Sequence, residues 1–127
     1  MPPTILFRPE NIIIALLNYF PHEKTDFPAN RQKLHSAFYE LKKINKDIFE
    51  EFTFNTNRMF PTSEELDQAL SNLEFCKYLG KFNPALNHYT IKEEVKSYFD
   101  EKLSNEFSQH LEEFEKLSRR LQELLGI

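Results

Sequence analysis

Two glycines in 127 residues leave the chain few ways to turn tightly. That scarcity argues against turn-rich all-β folds and for helices joined by few reversals. It also removes the backbone means of cradling a phosphate, and no G-x-x-x-x-G-K-[ST], G-x-G-x-x-G or G-x-S-x-G motif occurs. A single cysteine, Cys76, cannot close an internal disulfide, which suits a reducing, cytoplasmic setting. Tryptophan is absent. The longest apolar run, "IIIALL", is far too short to span a bilayer, so no membrane association is expected. Neither a basic start nor a small-residue cleavage site marks a signal peptide.

The chain is rich instead in phenylalanine, with 13 copies, and its charged fraction is ordinary. A net charge of −4 argues against a surface that grips a polyanion all over. The basic excess is confined to residues 22–46, which hold six Lys/Arg against three acids. By length the chain is large enough to bury a core without staples.

Punctuation and periodicity predict four helices. "RPENIIIALLNYFP" (8–21) opens with a proline suited to a first helical turn, and apolar residues surround its axis, so it should be buried. Asp26 is a candidate cap in the loop that follows. A second helix over roughly 29–48 gathers Leu34, Ala37, Phe38, Leu41, Ile44 and Ile48 on one face. "EEFTFNTN" (50–57) alternates like a short strand, and Phe49, Phe52, Phe54 and Phe60 form an aromatic cluster. In "FPTSEELDQALSNLEFCKYLG" (60–80), Thr62 and Glu65 make a capping box and Leu66, Ala69, Leu70 and Leu73 the buried stripe. Cys76 belongs near that stripe, and Gly80 stands where a left-handed C-cap is expected. "KF" and "HYTI" around "NPALN" then predict a β-hairpin.

From Lys92 to Leu125 no proline or glycine interrupts a helical composition. Leu103, Phe107, His110, Phe114, Leu117, Leu121 and Leu124 follow alternating three- and four-residue steps, the heptad pattern of a packed seam. That seam implies either a homodimer or a helix folded back on the body. The expected fold is therefore mainly α with a small β-hairpin, residues 1–91 forming a body and 92–127 a long C-terminal helix.

Leu66, Leu70, Leu73, Gly80, Phe82 and "YTI" (89–91) carry a resemblance to a winged-helix domain. The tail resembles the dimerisation helix of some small bacterial repressors. The resemblance implies a helix before the wing that contacts DNA. Here that helix carries Glu64, Glu65, Asp67, Gln68, Ser71, Asn72 and Glu74, whose carboxylates would repel phosphates.

A basic stripe lies instead on the second helix, where Arg31, His35, Lys42 and Lys46 fall within about 60° and Tyr39 lies beside them. Such a stripe can hold phosphates without reading sequence, or simply be a solvated face whose long side chains cover core leucines. The histidines His22, His35, His88 and His110 show no metal-ligand spacing with one another or with Cys76, and no metal or cofactor is implied. The adjacent "EE" pairs point about 100° apart on a helix, so no acid/base pair follows. The expectation is a non-enzymatic regulatory or protein-interaction module. The alternative is a dimeric DNA-binding transcriptional regulator of weak, salt-sensitive affinity.

Overall fold

A computed structural model describes residues 7–21, 26–82 and 88–127. The chain is mainly helical with one small antiparallel sheet. Helix α1 (Pro9–Asn18) runs through the centre. Pro9 presets its first turn, and every residue from Ile12 to Leu17 is buried. Strand β1 (Asp26–Pro28) follows, so Asp26 pairs with Thr90 and caps no helix. Three residues ending in a proline give too little alternation to be read as a strand.

Helix α2 (Arg31–Ile44) is capped by Asn30, whose side chain accepts from the Lys33 N–H at 3.1 Å. It ends earlier than its apolar pattern predicts. Asn45 leaves helical geometry and turns its own Oδ1 to the Ile48 N–H, which sends Ile48 into the core by a turn. Ile44, expected on the buried face, is left 59% exposed. The predicted strand at 50–57 reduces to one bridge, Asn55 with Thr62. A turn from the Phe49 carbonyl to the Phe52 N–H sinks both rings beneath Phe38, which breaks the two-residue alternation.

Helix α3 (Glu64–Phe75) is capped by Ser63, one residue later than predicted. Thr62 is held in the bridge, and Glu65 accepts from the Thr53 N–H and hydroxyl instead of closing a capping box. At its other end the Tyr78 N–H reaches the Leu73 carbonyl at 2.9 Å and the Lys77 N–H reaches Glu74, a Schellman closure. Lys77, at φ 68°, is therefore the left-handed residue, not Gly80. The closure carries Cys76 off the buried stripe into solvent, contrary to expectation. Gly80 serves differently: it lies in β2 (Leu79–Phe82) opposite Thr90, where a Cβ would stand 2.9 Å from the Lys92 Cε.

The predicted hairpin is present, with β2 paired to β3 (His88–Ile91) and β1 on the other side of β3. The "NPALN" loop (83–87) lies outside the described residues. Stacked rings of Phe27 and Tyr89, 5.3 Å apart, tie β1 to β3 where the two residues face each other in register.

The C-terminal segment departs most from the expected single helix. Helix α4 (Glu93–Tyr98) passes through one wide π turn (Phe99–Leu103) into α5 (Ser104–Glu106). The chain then breaks over 107–110 before α6 (Leu111–Leu125), which Gly126 closes at φ 76°. A straight helix from 93 to 125 would be about 50 Å long and would carry its apolar seam off the body. The break instead brings Phe107 and Phe114 face to face, with centroids 4.9 Å apart. It lays α6 along α1 and α2. At the middle of that contact the buried Ser118 hydroxyl donates to the Leu16 carbonyl at 2.6 Å. Residues on both sides of position 91 share one core, including Leu16, Leu41, Leu66, Leu103, Phe114 and Leu121.

Candidate functional site

Helices α2 and α3 meet at a charged cluster. The bidentate guanidinium of Arg31 on α2 donates to Asp67 on α3, with Nη2 2.7 Å from Oδ2 and Nε within 3.3 Å of both oxygens. One turn along α2, His35 is 0% exposed. Its Nδ1 accepts the Ser63 backbone N–H at 2.9 Å, and its Nε2 lies 2.8 Å from Asp67 Oδ1. A nitrogen that accepts from a backbone N–H carries no proton, so His35 is neutral with its hydrogen on Nε2, donated to Asp67.

The titration of the cluster follows from this geometry. Burial pushes the His35 pKa down, outweighing the Asp67 carboxylate, which favours the cation. Burial also acts to raise Asp67, but the hydrogen bonds from Arg31 and His35 prevail and hold its pKa below the usual carboxylate value. Beside the cluster lies a cleft of about 330 Å³ floored by Leu34, Leu70 and Tyr89, with Glu74 and Lys81 at its rim. Burial and then the Glu74 carboxylate push the Tyr89 phenol up to about 12.

The stripe read from the second helix does not come together as one cationic surface. Arg31 is clasped by Asp67 and His35 is buried, where an exposed face was expected. The Lys42 ammonium donates to the Phe52 carbonyl. Tyr39 packs edge-on against Phe54 and under Lys43, 4.5 Å from its ring centre. Lys46 remains exposed. The periodicity placed these residues at the correct angles, but the neighbours supplied by α3 and by residues 45–62 were not visible in it.

The seam is likewise used within the chain. Leu103, Phe107, Phe114, Leu117 and Leu121 are all 3% exposed or less in the single chain. Leu124 is half-buried at the edge of a groove of about 570 Å³ beside Tyr39 and Pro61. His110 stands at the α6 N-cap, its ring edge-to-face with Phe7 at 5.2 Å between ring centres and its Nδ1 3.3 Å from Glu113. Within the chain, α6 is packed back on α1 and α2.

The outer face of α3 carries the remaining feature. Glu64, Gln68, Ser71 and Phe75 are exposed and recur at four, three and four residues, one ridge within about 60°. Phe75 is 88% exposed. Asp67 and Glu74, flanking the ridge, are paired with Arg31 and Lys81. Among the described residues no group of three or more His, Cys, Asp or Glu is placed to hold a metal ion. Also among the described residues, no helix is long and apolar enough to cross a membrane. No family model, curated protein or solved structure matches this chain.

Proposed function

We propose that the chain is a small, non-enzymatic regulatory module whose winged-helix-like body binds another protein through the outer ridge of α3. Support for the resemblance comes from a capped helix running through a Schellman turn into an antiparallel hairpin. The observation that carries the binding reading is Phe75, a phenyl ring 88% exposed at the end of a ridge holding a carboxylate and no cation. Exposed aromatic side chains are the usual anchors of protein interfaces. Against an enzymatic role stands the His35–Asp67 pair, in which both ring nitrogens and the carboxylate are already occupied by structural partners. A reducing, cytoplasmic setting suits the exposed thiol of Cys76.

The competing reading, a dimeric DNA-binding regulator, loses much of its support when Arg31, His35 and Lys42 are each taken up by partners within the chain. A second copy is also not required to cover the C-terminal seam. Two measurements test the proposal. Duplex DNA should bind weakly and lose affinity steeply between about 50 and 200 mM salt, because only phosphate contacts remain. Tight, salt-tolerant binding to one sequence would sink the reading. Phe75→Ser, which leaves the core untouched, should remove a protein that co-purifies with the wild-type chain, and an unchanged set of partners would also sink it.

A further inference from the structure

The imidazole of His35 links α2, one turn from its start, to the first turn of α3, and its two bonds are of opposite sense. Nε2 donates to Asp67, whereas Nδ1 accepts from Ser63, the residue whose own hydroxyl accepts from Leu66 and caps α3. We propose that His35 is a proton-operated latch: a proton arriving at Nδ1 sets N–H against the Ser63 N–H and frees the capping turn of α3 from α2. The latch would regulate the face assigned above to a protein partner, and its functional meaning rests on that reading.

The surroundings decide how far the release spreads. Asp67 on α3 favours the imidazolium, while Arg31, one turn along α2, opposes it by repulsion and by already neutralising Asp67. From α3, Glu65 holds the Ser63 hydroxyl at 3.3 Å, and Glu74 faces the neighbouring cleft together with Lys81 of β2 and Tyr89 of β3. The exposed Arg31–Asp67 clasp does not depend on the Nδ1 bond, and Leu66, Ala69, Leu70 and Leu73 remain in the core. Release is therefore local to residues 63–66 and does not detach the helix.

The sign follows from linkage. His35 has a folded pKa below the ordinary imidazole value of 6.5 because burial disfavours the cation. The latched form is thus fully favoured above that value. It weakens as pH falls through the window between 6.5 and the lower folded value.

The test follows the free, isotope-labelled full chain by NMR between about pH 8 and pH 5. At neutral pH the His35 ring should carry its hydrogen on Nε2, and it should titrate below 6.5. Across that titration, exchange protection at the Ser63 and Leu66 amides should fall severalfold beyond the intrinsic pH effect. Amides of Leu41 and Leu70 should keep theirs. His35→Asn, which retains an acceptor near Nδ1 but cannot take a proton, should abolish the step. A hydrogen on Nδ1 at neutral pH, a titration at or above 6.5, or protection lost everywhere together would each overturn the latch, and so would no loss at Ser63. These wild-type readouts stand even where the variant fails to fold. None involves a partner, so their failure leaves the α3 binding face intact, and failure of the Phe75→Ser test leaves the latch intact.

Discussion

Replacing Phe114 by alanine asks whether the C-terminal seam holds one chain together or two. The ring is 0% exposed, stacked on Phe107 at 4.9 Å and 6.2 Å from Phe7. Deleting a buried phenylalanine costs about 3–5 kcal/mol, and the stacked pair adds about 0.5–1.5 kcal/mol of its own, so the upper half of that range is expected. A chain of 127 residues has a net stability of roughly 6–19 kcal/mol at typical values per residue. The variant should therefore still fold, and lie close to the edge only if the wild type sits at the lower end of that range. In urea, with a slope of about 2 kcal/mol per molar, the unfolding midpoint should drop by about 2 M. Because the contacts are made within one chain, wild-type and variant midpoints should both be independent of protein concentration. A midpoint that climbs with concentration in the wild type but not in the variant would refute the reasoning, since that is the signature of a seam between copies. A loss below about 1 kcal/mol would refute it too.

Smaller perturbations probe other joints. Ser118→Ala removes the donor to the Leu16 carbonyl between α6 and α1, and should cost about 0.5–1.5 kcal/mol by thermal or urea unfolding; no change would mean that this bond contributes nothing net. Gly80→Ala meets only the flexible end of Lys92, at 2.9 Å, on a strand with no positive φ, so a loss under about 1 kcal/mol is expected, and a loss of about 3 kcal/mol would show that backbone had to move. Glu65 titrates low because, although burial acts to raise it, the bonds from Thr53 and Ser63 prevail. Its contribution is present above the ordinary carboxylate value and is lost as pH falls through the depressed one. Glu65→Gln should accordingly flatten the acid limb of the stability curve, and an unaltered limb would argue that Glu65 is not its source.

Much of the framework is legible in the residues alone. Pro9 and the all-round apolar run of 12–17 specify a buried central helix, and "HYTI" specifies a strand, because local preference and burial agree at those positions. Of the heptad positions over 103–124, Leu103, Phe107, Phe114, Leu117 and Leu121 are inside, while His110 and Leu124 are only half-buried. A periodic pattern states which face is covered, however, and not by what. Whether α6 meets a second copy or its own α1 and α2 depends on the break over 107–110, which no proline or glycine announces. The same holds for the cluster at α2 and α3. Arg31 and His35 are four residues apart and look like part of a basic stripe, yet Asp67, 32 positions beyond His35, takes both of them up. Sequence fixes angles around one helix axis by local geometry, over a few residues. Which carboxylate, carbonyl or ring arrives at those angles is set by long-range packing, and in this protein that packing engages Arg31, His35 and Lys42 of the stripe within the chain and buries His35.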